Sequence, residues 1–185
     1  MSIKRHETRV TVPAGARFTV APGVLRVEGP LGRTERTFPT DALALAVAGP
    51  TVTLTLKIPP NRRAAQALLG TWAAHVANLA GGVTRGCEAR MKVVAAHFPM
   101  KVSVKESTLL IENFLGEKHP RTAPLLPGVK ATVDGEFVVL SGHDVERVGQ
   151  AAANIERATR IRDYDPRVFQ DGIYLVDYVH LKEAA

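Results

Sequence analysis

The chain contains one sequence pattern twice, and this repeat limits the possible folds more than any other feature. The segment Leu25–Gly32 reappears 84 residues later as Leu109–Gly116, with five of the eight positions identical or exchanged between Val and Ile. A second copy in the same order indicates two similar structural units in tandem.

Both copies continue with the pattern of a β-hairpin. Apolar residues alternate with others before Gly49-Pro50 in the first copy and before Gly135 in the second, and a further alternating run follows each turn. Period-two alternation around a glycine turn predicts two antiparallel strands. The alternating positions are Leu43, Leu45, Val47 and the run Val52–Leu56 in the first copy, and Val129, Ala131, Val133 and the run Phe137–Leu140 in the second.

A helix with one apolar face follows each hairpin. The offset between the two helices is 79 residues, so the first copy has extra residues around Ile58–Arg63. Asn61 and Asp144 are the predicted N-caps. The apolar positions recur at three- and four-residue steps; they are Ala65, Leu68, Leu69, Trp72, Val76 and Leu79 in the first helix, and Val145, Val148, Ala152 and Ile155 in the second.

Each helix also has a glycine in its interior, Gly70 in the first and Gly149 in the second. Glycine costs about 1 kcal/mol relative to alanine there. We expect each glycine to allow a close approach of its helix to the sheet, with tolerated drift as the alternative.

The predicted fold class is therefore α+β, with two tandem similar domains that arose by internal duplication. Each domain is a small, mostly antiparallel sheet packed against one helix. The first domain is expected to span residues 1–82 and the second residues 83–185, because the glycine-rich segment Gly81–Gly86 is predicted to end the first helix.

Composition predicts a protein that stays in the cytoplasm. The single cysteine, Cys87, cannot form an internal disulfide, which fits a reducing compartment. The longest apolar stretch, Ala42–Gly49, is far shorter than the ~20 residues that span a bilayer. The start of the sequence lacks the apolar segment of a secretory signal.

The charge distribution favours a polyanionic partner. The formal net charge is +6, and arginine outnumbers lysine 16 to 8. Residues 1–85 have a net charge of +7 and residues 86–185 a net charge of −1, although residues 86–130 alone have +3. Arginine suits phosphate because its planar group pairs through two hydrogen bonds.

The sequence has no motif that predicts catalysis, a metal or a cofactor. Phosphate loops, dinucleotide-binding motifs, zinc-protease motifs and nucleophile elbows are missing, and the six histidines are not at ligand spacing. Cys87 is expected to be a buried small residue, not a nucleophile. The tail acids lack calcium-loop spacing and are expected to form solvated ion pairs with the neighbouring arginines; they are Asp163, Asp165, Asp171 and Asp177.

Two basic segments are candidates for binding RNA. Glu117–Arg121 follows a predicted turn and contains a stiffening proline, and Arg160–Gln170 follows the second helix. Cationic groups on fixed loops can contact phosphates and read RNA shape. From chemistry alone, a solvated polar loop explains each segment equally well.

Three separated segments resemble the large-subunit ribosomal protein six family, in its archaeal and eukaryotic form, which is numbered nine in eukaryotes. These segments are Glu112–Arg121, Asp144–Glu156 and Arg162–Tyr174. Further similarity upstream, at Gly70-Thr71, Gly82–Gly86 and His97–Lys101, extends the resemblance over essentially the whole chain.

The resemblance implies two tandem α+β domains and a structural role in translation without catalysis. It implies binding to large-subunit rRNA of the 23S type near the stalk base and the sarcin-ricin loop. Neighbouring ribosomal proteins and translation factors are the other implied partners, and no membrane or small-molecule substrate is implied. By match of motif, the expected RNA-binding residues are Lys101, Lys118, His119, Arg121, Arg160, Arg162, Arg167, Phe169 and Gln170.

Two other function classes remain as alternatives at this point. A protein-interaction module would bind its partner through a sheet edge. A nucleic-acid-processing enzyme would need a buried acid and base or a metal cluster, and the sequence predicts neither.

Overall fold

The computed structural model describes residues 6–59, 63–165 and 167–182. These residues form two compact units, 6–86 (unit 1) and 87–182 (unit 2). Within the described residues, each unit contains two small antiparallel sheets and one α-helix. The predicted α+β class is confirmed.

Unit 1 has six strands followed by a helix. The strands are β1 (Glu7–Thr11), β2 (Arg17–Ala21), β3 (Val24–Gly29), β4 (Gly32–Thr37), β5 (Leu43–Ala48) and β6 (Thr51–Leu56), and the helix is α1 (Arg63–Arg85). One sheet has the strand order β1-β6-β5 and the other the order β2-β3-β4. The predicted hairpin around Gly49-Pro50 is the β5–β6 pair.

Unit 2 repeats this order and adds one strand. Its elements are β7 (Cys87–Val94), β8 (Lys101–Lys105), β9 (Thr108–Glu112), β10 (Arg121–Pro124), β11 (Lys130–Asp134), β12 (Phe137–Gly142), α2 (Val145–Ala158) and β13 (Gly172–Leu181). The sheets have the orders β11-β12-β7-β13 and β8-β9-β10. Without β13, both sheets match those of unit 1 strand for strand, as the duplication predicts.

Each helix covers its unit's core with the predicted face. In α1, Leu69, Trp72 and Val76 are buried against Leu25 and Leu54 of the sheets. The other predicted apolar positions also contribute to the two cores; they are Ala65, Leu68, Leu79, Val145, Val148, Ala152 and Ile155. Burial of these faces supplies most of the stability of short helices.

The predicted cap of the second helix is confirmed. The Asp144 carboxylate accepts hydrogen bonds from the backbone N–H groups of Glu146 and Arg147, at 2.9 and 3.4 Å. These are two of the donors that a helix leaves unpaired at its start. The other predicted cap, Asn61, lies outside the described residues.

The expected role of the two helix glycines is wrong. A Cβ at Gly70 would meet nothing within 4 Å, and at Gly149 it would make ordinary contact with Val179 at 3.6 Å. The close approach between helix and strand is instead at Gly29, at the end of β3, where a Cβ would lie 2.7 Å from Val83. The strand, not the helix, lacks the side chain because β3 passes directly beneath the end of α1.

The first helix ends within the segment Gly81–Gly86, as predicted, but it first continues through the glycine pair. Gly81 and Gly82 are buried within α1, which ends at Arg85. The boundary expected between residues 82 and 83 therefore falls inside this helix, and the two units divide between Gly86 and Cys87. Gly86 has a φ of 80°, which a glycine adopts without strain at the end of a helix.

A candidate nucleic-acid interface

Three connections of unit 2 meet at one end of that unit. They are residues 95–100 between β7 and β8, residues 113–120 between β9 and β10, and residues 159–171 between α2 and β13. The first two adjoin because Lys101 at the start of β8 pairs with Glu112 at the end of β9. All nine residues expected to bind RNA lie in these connections or at their ends.

The 113–120 connection has a tightly held start and an exposed end. Asn113, Leu115 and Gly116 have φ values of 59°, 50° and 78°, which turn the chain sharply. Phe114 is buried in the core, and Phe98 lies where it would touch a Cβ on Gly116 at 3.4 Å. This anchoring leaves Lys118 and His119, the second and third residues after Gly116, exposed on a fixed base.

A hydrogen bond joins this connection to the one before β8. The Asn113 side-chain amide donates to the carbonyl oxygen of Pro99 at 2.9 Å. Lys101, two residues further on, is 78% exposed and lies 3.7 Å from Glu112. A pair this exposed contributes at most about 1 kcal/mol and leaves the ammonium group accessible.

Arg121 joins the 113–120 connection to the end of α2. Its guanidinium donates two hydrogen bonds to the Glu117 carboxylate, at 2.6 and 2.8 Å. It also donates to the carbonyl oxygens of Ala158 and Arg160, at 2.9 and 3.1 Å. The same group lies 4.2 Å from the centre of the buried Phe114 ring.

These contacts place Arg121 among partners within its own chain, although it was predicted as an RNA contact. Its hydrogen bonds to Glu117 lower the pKa of that carboxyl, against the opposing effect of partial burial. Sequence alone could not reveal this, because the carbonyl groups at the end of α2 are 37 and 39 residues away. The geometry gives Arg121 a positioning role at this end of the unit.

A buried acid holds the tail against the first connection. Asp171 is 1% exposed and accepts hydrogen bonds from the backbone N–H of His97 at 3.0 Å and from its ring Nδ1 at 2.7 Å. Burial alone raises the pKa of Asp171, but the hydrogen bonds from His97 and Ala96 outweigh it, so this pKa lies below its ordinary value. The expected solvated ion pair at Asp171 is therefore wrong.

Aromatic contacts continue this attachment. The Phe169 ring packs on the His97 ring with 4.6 Å between centroids and on Tyr164 with 4.7 Å. His97 was not among the predicted site residues. Its position in the run that resembles a known family was the only sequence signal for it, since neither spacing nor charge connects it with Asp171.

The remaining predicted cations are exposed. Arg160, Arg162, Arg167 and Lys118 have no ion-pair partner among the residues that the structure describes. Such side chains are available to a phosphate without first losing a partner. They share this end of unit 2 with His119, which is also exposed.

The acids of unit 2 explain why its low net charge does not prevent a cationic surface. Asp144 caps α2, and Asp171 binds His97. The Glu156 carboxylate accepts the N–H of Leu175 at 2.9 Å, and Asp165 accepts the N–H of Arg167 at 2.9 Å. These four carboxylates are directed at backbone donors and not at the exposed cations of the candidate interface.

A cleft of about 680 Å³ opens beside these cations. It lies between the C-terminal half of α2, the tail and the start of β13. Three predicted residues line it together, namely Arg160, Phe169 and Gln170. Lys118, His119 and Lys101 are not among its lining residues.

The described residues show no metal-ligand cluster and no exposed thiol. In the described ranges, no group of three or more His, Cys, Asp or Glu side chains could hold a metal ion. Cys87 is fully buried, as expected, and burial raises the pKa of its thiol to about 11. Neither of the two described helices is long and apolar enough to cross a membrane.

The fold and this surface define a duplicated α+β protein with exposed cations and aromatic rings at one end of its second unit. The family model described as ribosomal protein L6 matches residues 98–172. This range includes the 113–120 and 159–171 connections completely and the 95–100 connection from Phe98 onward.

Relatives match almost the whole chain. The large ribosomal subunit protein uL6 of Methanospirillum hungatei is 45% identical over 170 residues, which are 92% of this chain and 96% of the relative. The protein of that name from Methanosarcina mazei is 42% identical over 174 residues, with 94% and 98% covered. The one from Methanobrevibacter smithii is 42% identical over 167 residues, with 90% and 93% covered. The chain belongs to the ribosomal protein L6 family.

Proposed function

We propose that this protein is a structural constituent of the large ribosomal subunit and binds large-subunit rRNA of the 23S type through the loop end of unit 2. The observation that carries the proposal is the group of exposed, unpaired cations on connections that are tied together by Asn113, Arg121 and Asp171. The names of the archaeal relatives support the same assignment.

The mechanism is positional. Cations on a fixed base take the place of the diffuse counterions that otherwise screen the repulsion between RNA helices, so binding stabilises one arrangement of the RNA. In this proposal Lys118, Arg160, Arg162 and Arg167 contact phosphates, whereas Arg121 holds the 113–120 connection in place. The family resemblance further supports a location near the stalk base, beside the docking site of translation factors, and thus a cytoplasmic protein.

The test is RNA binding by the full chain at several salt concentrations. Large-subunit rRNA from the source organism is the probe, and the Arg160→Ala, Arg162→Ala double variant is compared with the parent. Each lost phosphate contact is expected to reduce the slope of log affinity against log salt by roughly 0.7 to 0.9. Affinity should fall for all rRNA fragments that the parent binds.

Lys105→Ala is the matched control. Lys105 is an exposed cation at the opposite end of the β8-β9-β10 sheet from Lys101. The substitution therefore removes one positive charge without changing the interface. Its affinity and salt slope should equal those of the parent. If the double variant behaves like this control, or if the parent binds no rRNA selectively, the proposal is wrong.

One observation favours a second candidate function, binding of a protein partner at a sheet edge. Strand β13 is an edge strand of its sheet, and it exposes Val176 and Tyr178, which are 56% and 78% exposed. A long apolar edge is a template for an added strand. A pull-down from cell extract that recovers a protein and no rRNA, at both low and high salt, would favour this candidate.

A further inference from the structure

The cleft beside α2 has the shape and chemistry of a binding site. Its apolar lining consists of Ala153, Ile161 and two aromatic rings, Phe169 and Tyr174. The cleft has a volume of about 680 Å³ and is open to solvent. Apolar clefts with a few polar groups at the edge are typical ligand sites.

Both aromatic rings are held in place before any ligand binds. Phe169 packs on His97 and Tyr164, as described above. The Tyr174 ring lies over Gly172, where a Cβ would approach it to 2.9 Å, and its hydroxyl donates to the carbonyl oxygen of Gln170 at 3.2 Å. Tyr174 nevertheless remains 44% exposed. A fixed, accessible ring loses little entropy when a flat group stacks on it.

The polar groups of the cleft favour an anionic, planar ligand. Arg157 and Arg160 are exposed cations without an ion-pair partner in the described chain, and the Gln170 amide likewise has no side-chain hydrogen bond there. The one lining acid, Glu156, is already bonded to the backbone of Leu175. The cleft thus combines ring faces, one free amide and two free cations.

We propose that this cleft takes one unpaired nucleotide of the bound RNA, with the base against Phe169 and Tyr174 and the phosphate at Arg157 and Arg160. A nucleobase stacks on aromatic faces in this way, and its edge can bond to an amide. The inference rests on the proposed function and specifies the ligand at one part of that interface.

The variant that tests the proposal fills the cleft without removing any of its polar groups. Ala153→Leu adds bulk to the lining of the cleft and keeps a good helix former in α2. With large-subunit rRNA as the probe, affinity should fall roughly ten-fold, since that is the order of one lost base–aromatic stack. The salt slope should fall by at most roughly 0.9, because every cation remains and only the one phosphate held at Arg157 and Arg160 can be displaced.

Ultraviolet cross-linking supplies a second readout. In the complex of the full chain with rRNA, the peptide that contains Phe169 and Tyr174 should cross-link to a nucleotide, and Ala153→Leu should abolish this product. Ala77→Leu, the same change at an exposed position of α1, is the control and should change neither result.

Three outcomes would overturn the inference. If Ala153→Leu binds and cross-links like the parent while the parent's binding still depends on salt, the cleft is empty and the proposed function stands. If this peptide cross-links to another protein in isolated subunits, the cleft serves a protein partner. If the parent binds no rRNA, the proposed function fails and the inference fails with it.

Discussion

Replacing Arg121 by alanine should destabilise unit 2 more than a surface arginine normally would. The guanidinium joins three segments: the 113–120 connection through Glu117, the end of α2 through Ala158 and Arg160, and the core through the face of Phe114. The side chain of Arg121 is only 25% exposed, so its hydrogen bonds are partly shielded from water.

The magnitude follows from these contacts. Each hydrogen bond from the charged group to a carbonyl oxygen contributes about 1 to 1.5 kcal/mol at this exposure. The pair with Glu117 is discounted to about 0.5 kcal/mol because the Glu117 side chain is 40% exposed. We therefore expect Arg121→Ala to cost about 3 kcal/mol and Glu117→Ala at most about 1 kcal/mol. Arg121→Lys should be intermediate, since an ammonium group cannot reproduce the fork.

Urea unfolding followed by far-ultraviolet circular dichroism measures the free energies of unfolding. A loss of 3 kcal/mol lowers the midpoint by about 1 M or more. Hydrogen exchange then shows where the stability is lost, and protection should fall first at the amides of residues 113–121 and 157–161. If Glu117→Ala costs as much as Arg121→Ala, the bonds to the carbonyl groups contribute nothing and the reasoning is refuted.

Three further predictions concern packing and ionisation. Gly29→Ala should lower the free energy of unfolding by at least about 2 kcal/mol, because its Cβ would overlap Val83. Gly70→Ala, on open helix surface, should raise it by about 0.5 to 1 kcal/mol. Urea titration of each variant against the parent measures both changes. Asp171→Asn should lower stability above about pH 4, and the deficit should shrink as the pH falls through the depressed pKa of Asp171, because that carboxylate stabilises the fold only while ionised; thermal unfolding at stepwise lower pH measures this. The Cys87 thiol, with a pKa near 11, should react with a disulfide reagent at least about 100-fold more slowly in the folded protein than in urea, and equal rates would contradict its burial.

Local periodicity predicted the elements and the duplication because it reports directly on burial. The alternation around Gly49 and Gly135 became the β5–β6 and β11–β12 hairpins, and the three- and four-residue steps became the buried faces of α1 and α2. These patterns depend on neighbours within a few residues. The Asp144 cap was predictable for the same reason, since its partners are two and three residues away.

Long-range partners were not predictable from one sequence. Asp171 and His97 are 74 residues apart, and nothing in either segment shows that one carboxylate is buried while its neighbour Asp163 is exposed. The prediction of a close approach at the helix glycines was wrong for a related reason. A glycine inside a helix lowers stability relative to alanine, so the sequence suggested a packing role for it. Only the position of β3 beneath α1 shows that the steric constraint is at Gly29.

The two repeats differ in the segments that carry the candidate interface. In unit 1 the β3–β4 connection is the two-residue turn Pro30-Leu31, whereas the equivalent β9–β10 connection in unit 2 spans residues 113–120. In unit 2 a tail and strand β13 also follow the helix. The shared strands have the same order in both units, so the architecture alone does not indicate which unit binds RNA. Lys118, Arg160, Arg162 and Arg167, the fixed aromatic rings and the cleft all lie in or beside the segments that unit 2 has in addition. Because Phe114 of this connection belongs to the core, replacing only the exposed Lys118 and His119 by alanine should leave the unit folded and reduce RNA binding, as measured by the same salt titration.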